Sequence, residues 1–516
     1  EATADVALAN VSARLGRELP LLELDYLEGR LGGKQMGEGS GTGFEIFGKT
    51  LSLKTGGGVA LPPADFAVRW GRGSASQPPG GELQANALEL QPLAHLGEFL
   101  PFPQAVRRRL AEIEPRGSVF DLKLSWTGDP DGPEHYSVRG RFANLGARAL
   151  HGVPAFSGLS GRLDGNEKGG NLSLGAKNAT IELPGVLPDE KVHVDTLTAQ
   201  VGWLQGKEGL ALKFSNVAIA NRDIAGTLSG TFATKSGSPG VIDLSGSFSR
   251  LDGASTYRYI PRLPESVRNY LKSGVQAGRA FDIRLRLKGD LGHFPFDDPK
   301  QGSFQVVGKV SGVDFNYADG WPGLTGVSGE LVFEGRQMRI SASKGAVLGA
   351  RVVNAKATIA DLFNRNEVLN VEGQAEGATA EFLRFVDSSP VTGFIDGYTS
   401  GMRATGNARL QLKLELPIRR LQQVKVAGSL QLAGNQIAID SDFPALSFSQ
   451  VNGRLDFTES GISARNLASQ FLGGPTVISV ATLADGTVSV AAQGTATVAA
   501  ARRLVDLPLL DHASGS

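Results

Sequence analysis

The residues whose types and spacing come nearest to a chemical site are GFEIFGKT, at 43–50. Gly43, four residues, then Gly48, Lys49 and Thr50 satisfy the spacing of a phosphate-binding loop. In such a loop backbone N–H groups and a lysine hold phosphates while a hydroxyl meets their magnesium. That chemistry needs a buried strand before the loop and a helix opening after it. The flanks supply neither. GGKQMGEGSG upstream is glycine-rich, and Phe44-Glu45-Ile46-Phe47 alternates apolar and charged residues. LSLK (51–54) alternates again, and Gly56, Gly57, Gly58 and then Pro62-Pro63 stop any helix. With 68 Gly in 516 residues such spacing arises by chance, and a strand–turn–strand is expected, with no nucleotide. The other chemically capable residues are scattered. Asp297-Asp298 and Asp129-Pro130-Asp131-Gly132 lack the ligand spacing of a calcium loop and read as turns. The six His (95, 135, 151, 193, 293, 511) include no pair at metal spacing. No G-x-S-x-G elbow and no outstanding carboxylate pair is present, and Arg107-Arg108-Arg109 reads as a solvated helix face. The expectation is a protein that is not an enzyme and needs no cofactor or metal.

Composition narrows the class. The formal net charge is zero, which argues against nucleic acid as a partner. Cys is absent, which removes disulfides and thiolate metal sites. Hydrophobic residues are 41% and charged residues 20%, enough to cover a large apolar surface. No apolar run reaches the length of a membrane span. The first Met is Met36, so the sequence is expected to be a piece of a longer chain whose anchor lies outside it.

The elements available to position anything are strands. In FDIRLRLKG (281–289) the apolar residues Phe281, Ile283, Leu285 and Leu287 alternate with Asp282, Arg284, Arg286 and Lys288. FDLKLSW (120–126), FQVVGKV (304–310), LQLKLEL (410–416), VKVAGSLQL (424–432) and GRLDF (453–457) alternate likewise, each with one apolar and one wet face. Asp485-Gly486 reads as a hairpin turn. Helical spacing is confined to 92–115, 264–275, 378–387 and 497–507. A proline signature recurs in VPAFSGLSGRL (153–163), WPGLTGVSGEL (321–331) and FPALSFSQVNGRL (443–455). Together these mark repeated units at 1–115, 116–275, 276–402 and 403–512, each holding or ending in one of the helical stretches.

Roughly 25 to 30 strands then share one apolar face, far more than four short helices can cover. A second sheet, closure into a barrel, or an apolar ligand remain as covers. Seven Tyr and four Trp are too few for the aromatic girdles of a membrane barrel. No polar linkers separate sandwich modules. The expected fold is mainly β: a long twisted antiparallel sheet bent into a groove, with a few short amphipathic helices.

HFPFDDPKQGSFQVVGKVSGVDFNYADGWPGLTGVSGELVF (293–333), GAVLGARVVNAKATIAD (345–361) and YIPRLPESVRNYLKSGVQAGRAFDIRLRLKGD (259–290) resemble the YhdP group of AsmA-like proteins. The resemblance implies a repeating β-groove, periplasmic and anchored in the inner membrane of Gram-negative bacteria. It implies a non-enzymatic conduit for phospholipid between inner and outer membrane. Its partners would be phospholipid acyl chains, the inner membrane through an anchor absent here, and outer-membrane or envelope proteins. The lining expected for such a groove is the apolar member of each alternating pair. These are Phe120, Leu122, Leu124, Phe281, Ile283, Leu285, Leu287, Phe304, Val306, Leu331, Phe333, Leu412, Leu414, Leu430, Leu432, Leu455 and Phe457. The alternative is a structural β-solenoid, a spacer or adhesive envelope protein that carries no lipid.

Overall fold

The computed structural model describes residues 1–516 apart from 37–42, 72, 74–77, 102–103, 130–131, 150–153, 190, 396, 441–445, 505–514 and 516. The fold is mainly β, a 25-stranded antiparallel sheet that is not closed into a barrel, with a few short helices. It divides into two compact units. The first holds Glu1–Phe248, Arg258–Leu263 and Leu287–His293. The second holds Ser249–Tyr257, Pro264–Arg286 and Phe294–Ser516.

The first unit contains β1 (Ala2–Ala13), β2 (Leu22–Met36), β3 (Gly43–Thr55), β4 (Ala60–Gly71), β5 (Gly80–Glu89), α1 (Leu90–Leu96), α2 (Gln104–Ile113), β6 (Arg116–Asp129) and β7 (Gly132–Ala147). It continues through β8 (Phe156–Asn166), β9 (Gly169–Glu182), β10 (Lys191–Gly206), β11 (Gly209–Ala220), β12 (Ile224–Lys235) and most of β13 (Ser238–Asp252). The second contains α3 (Glu265–Gly274), most of β14 (Val275–Asp290), β15 (Gly302–Phe315), β16 (Leu324–Glu334), β17 (Gln337–Val347), β18 (Ala350–Ile359) and β19 (Val368–Ala378). It ends with α4 (Thr379–Asp387), α5 (Val391–Phe394), β20 (Met402–Pro417), β21 (Lys425–Ile439), β22 (Leu446–Thr458), β23 (Gly461–Phe471), β24 (Gly474–Thr482), β25 (Val488–Gly494) and α6 (Val498–Leu504).

Within each unit every strand pairs antiparallel with its neighbours in sequence, from β1 to β12 and from β15 to β25. Connections in such a meander alternate between the two edges of the sheet. Those leaving even-numbered strands are mostly tight turns, such as Glu167-Lys168, Lys207-Glu208 and Glu459-Ser460. Among the described residues the α-helices all follow odd-numbered strands, while short 3-10 turns at Leu291–His293 and Leu421–Gln423 follow β14 and β20. Each unit thus has a hairpin edge and a helical edge. The proline signatures open β8, β16 and β22 at the helical edge.

The stretch expected to form one helix across 92–115 forms two, α1 and α2, with Pro101 between them. The other three helical stretches form α3, α4 and α6, and the end of 497–507 lies outside the described residues. GFEIFGKT lies wholly in β3, with no turn inside it. Thr50 takes a left-handed conformation there (φ 50°), so the strand is bulged rather than broken.

That bulge is one of many. Left-handed residues stand inside strands at Asp121 in β6, Asn144 in β7, Asn178 in β9 and Asn216 in β11. In the second unit they stand at Asp282 in β14, Gln450 in β22 and Asn466 in β23. Most lie toward the helical edge of their strand. Register shifts accompany them, for example between Phe120 and Lys123 on β6 and between Leu432 and Asn435 on β21. A bulge frees backbone groups and bends the strand. Short polar side chains on the next strand satisfy those groups. The Thr50 N–H donates to the Asp65 carboxylate (2.7 Å), and the Asp65 N–H donates to the Asn86 side chain (2.8 Å). In the second unit the Gly326 N–H donates to Asp314 (2.8 Å) and the Gly434 N–H to Asn452 (2.7 Å). Each unit therefore carries a line of bulges running across its strands.

The dry core straddles that line. In the first unit Ala176, Ala179, Val194 and Leu197 are buried, with Leu159, Ile181, Val192 and Ile219 packed on them. In the second, Ala408, Leu432, Phe448, Val451, Ala464, Leu467 and Ile478 are buried, and Phe382 of α4 packs on them. Thr379, the first residue of α4, donates its hydroxyl to the buried Asn435 side chain (2.5 Å), whose amide donates to the Asn407 carbonyl (3.0 Å).

Candidate functional site

Antiparallel register puts directly opposed residues on the same face. In the second unit this makes unbroken apolar rows. One runs Val306, Phe333, Met338, Ile359, Leu369, Leu416. The next runs Leu331, Ile340, Ala357, Val371, Leu414, Val426. A third passes through Gly373, Leu412, Gly428, Phe457 and Ile462, and a fourth through Leu410, Leu430, Leu455, Ala464 and Val480. In the first unit one row runs Ile46, Val68, Leu83, Leu124, Val138. Another runs Leu163, Leu172, Val201, Phe214.

The opposite face is charged. Lys309, Glu330, Ser341, Lys356, Glu372 and Lys413 oppose one another in turn, and Lys413 pairs with Glu372 at 3.2 Å. In the first unit Lys34, Glu45, Arg69 and Glu82 form a ladder at 3.4, 3.2 and 3.6 Å. The Arg69 hydrogen bond holds the Glu45 carboxyl below its usual range. At the hairpin turns, Glu167 is lowered to about 2, chiefly by its hydrogen bond to His135. Glu45 itself is buried beneath its two cations; the exposed pairs, such as Lys413–Glu372, add little stability each but keep the outer face in water.

The apolar rows are neither buried nor free. Leu410, Leu412, Leu414 and Leu416 are all half-buried, alternating with exposed Arg409, Gln411, Lys413 and Glu415. Ile46 and Tyr136 on the apolar face are exposed. The total surface area agrees. Two compact globules, each of half this mass, would expose about 22,000 Å² together. The chain exposes 30733 Å². The difference, about 9,000 Å², is surface that compact packing would have removed from water.

The expected lining residues fall as follows. Leu122 and Leu124 share a face with Ala85 and Leu83. Val306, Leu331, Phe333, Leu412, Leu414, Leu430, Leu455 and Phe457 stand in the rows above, and Phe304 precedes Val306 by the two residues that keep it on that face. Leu432 continues the face into the dry core, at 4% exposure. Ile283 is buried beside Gly308, and Leu285 and Leu287 follow it in alternation along β14.

Phe120 departs from the expected pattern. The bulge at Asp121 puts it opposite Arg141, while Val119 opposes Phe142 on the apolar side. Arg141 bonds Asp121 (2.6 Å) and lies over the Phe120 ring at 5.9 Å, while toward β5 Phe120 opposes Ala87 in step with Leu122 opposite Ala85, so Phe120 stands where the two faces meet. Phe281 occupies the same place before the left-handed Asp282, whose carboxylate meets Lys309 at 3.0 Å, and the alternation is interrupted there too.

Residues that sequence reasoning did not pick include Val138, Leu163, Leu172, Val201, Ile340 and Val371. Their signal was available as weaker alternation, SVRGRF (137–142) and NLSLG (171–175), diluted by glycine. Other glycines of the sheet have a packing reason. A side chain at Gly428 would lie 2.1 Å from the Phe457 ring, and one at Gly161 would meet the Ser173 carbonyl at 2.0 Å. Among the described residues no three His, Asp or Glu side chains gather as a metal site would, and no helix is long and apolar enough to cross a membrane.

A long open meander with one apolar and one charged face defines a class of β-sheet proteins suited to holding apolar matter along a surface. The chain belongs to the YhdP family, whose model, described as YhdP protein, matches residues 1–516. No curated protein and no solved structure matches it.

Proposed function

We propose that this chain is a non-enzymatic conduit for phospholipid across the periplasm, carrying acyl chains on the apolar face of its sheet from inner to outer membrane. The observation that supports this most is the set of unbroken, half-buried apolar rows, which no second layer covers among the described residues. Membership of the YhdP family, with its lipid-transport association, supports it further. Each exposed CH₂ costs about 0.8 kcal/mol, so bringing two acyl chains into water costs on the order of 20 kcal/mol. A continuous apolar face removes most of that barrier while the headgroup stays wet. The sheet lowers the barrier and does not set direction. On this reading the chain works between the membranes, tethered to the inner one by a segment outside it and meeting outer-membrane or envelope components at its far end.

Mass spectrometry of lipid extracted from the purified chain tests the proposal. Several phospholipid molecules per chain are expected. A lipid-free protein that keeps its fold would favour a spacer instead.

A further inference from the structure

The apolar face of the first unit has two unlike borders. Toward the helical edge it runs into the dry aliphatic cluster of Ala176, Ala179, Val194 and Leu197. Toward the hairpin edge it is aromatic. Phe44 opposes Trp70, Trp70 opposes Gly81, Gly81 opposes Trp126, and Trp126 opposes Tyr136. Phe44 and Trp70 stack at 5.7 Å. Trp203 stands three residues from the end of β10, as Trp126 does from the end of β6. Three of the chain's four Trp thus lie along one border of one face.

Glycines shape this border. A side chain at Gly81 would lie 2.4 Å from the Trp126 ring, and one at Gly165 or Gly170 would lie 2.5 Å from the Trp203 ring. Each indole therefore lies flat across the backbone of its neighbours. Rings with an apolar body and a polar N–H favour the boundary between hydrocarbon and water.

We infer that this border is where the ester and headgroup end of a bound diacyl lipid lies, with its acyl chains running along the strands toward the helical edge. The inference rests on the lipid reading above and adds a polarity to it. The dimensions fit. Leu197 is six residues from Trp203 on β10, about 20 Å along a strand. One leaflet's share of a bilayer core is about 15 Å. The indole N–H groups then stand level with the ester carbonyls, the acceptors that the aliphatic border lacks.

The test uses the whole chain with Trp321→Phe, so that the remaining Trp report from this border alone. It is loaded with phosphatidylcholine carrying a nitroxide either beside the ester or near the chain methyl, with lipid load measured on the same samples. Larger loss of Trp emission from the ester-level label is expected. Trp126→Phe and Trp203→Phe each remove a reporter from this border, so the difference between the two labels is expected to shrink in each variant when expressed per bound lipid. Equal or greater loss from the methyl-level label at full lipid load overturns the polarity and leaves the lipid reading standing. Failure to load any lipid overturns both.

Discussion

Leu412 and Leu432 lie on the same face, one in an open row and one in the dry core, and Asp at each separates the two environments. Leu412 is half-buried, with Gly373 and Gly428 as its cross-strand neighbours. Full burial of a leucine contributes about 2–3 kcal/mol, so Leu412→Asp forfeits about half of that. Aspartate is also a poor strand former, by less than about 1 kcal/mol. The carboxylate stays hydrated, so the total is about 2 kcal/mol, which lowers the melting temperature by about 4–8 °C for a unit of this size. Leu432 is 4% exposed, against Phe448, Val451 and Leu467. Leu432→Asp forfeits the whole transfer energy and buries a carboxylate among aliphatic groups, adding several kcal/mol. A loss above about 5 kcal/mol unfolds most domains. Thermal melting by circular dichroism reads both variants, and lipid extraction from the folded Leu412→Asp protein reads its load. The expected result is a folded Leu412→Asp protein with less lipid beside an unfolded Leu432→Asp protein. If both unfold alike, Leu412 is in a closed protein core and the open-face reasoning fails.

The bulges give a second test. Asn178 is left-handed (φ 55°), so Asn178→Val is expected to cost about 1–3 kcal/mol while Asn178→Gly stays within about 0.5 kcal/mol of the parent. Equal effects would mean that the strand can relax the bulge. Gly428→Ala is expected to cost about 1–3 kcal/mol by collision with the Phe457 ring, and Phe457→Leu should relieve most of it in a double-mutant cycle. Additive losses would exclude the contact. Acid should loosen the hairpin edge at β7 and β8. The Glu167 carboxyl is lowered from 4.5 to about 2, so its contribution is complete above 4.5 and is lost as pH falls through about 2. Glu167→Gln should flatten the acid limb of a melting-temperature profile in that window, and an unchanged limb would show that other carboxylates govern it.

Much of this was legible in the sequence because alternation is a direct record of a strand's two faces. LQLKLEL (410–416) states its own burial pattern residue by residue. At Phe120 and Phe281 the alternation is interrupted for a physical reason. Asp121 and Asp282 look like the outward members of an ordinary alternation, and nothing in a lone Asp says that its backbone is left-handed. The clue was collective, since short polar residues recur near the helical end of strand after strand: Asp65, Asn86, Asn144, Asn178, Asn216. The aromatic border was hidden differently. Trp70, Trp126 and Trp203 are more than fifty residues apart, and only strand register puts them on one border. The glycine-rich strands of β8 and β9 read as weak because glycine gives no alternation, although it is what lets Trp203 lie flat.

Photocrosslinking tests the central claim most directly. A photoreactive amino acid is placed at Leu124, Leu331 or Leu414 on the apolar face, and at Lys123, Glu330 or Lys413 on the charged face one residue away. After irradiation in cells and purification, phospholipid adducts are expected at the first three positions and not at the second three. Adducts on both faces alike, or on neither while protein crosslinks form at Leu124, Leu331 and Leu414, would contradict an apolar face that carries lipid.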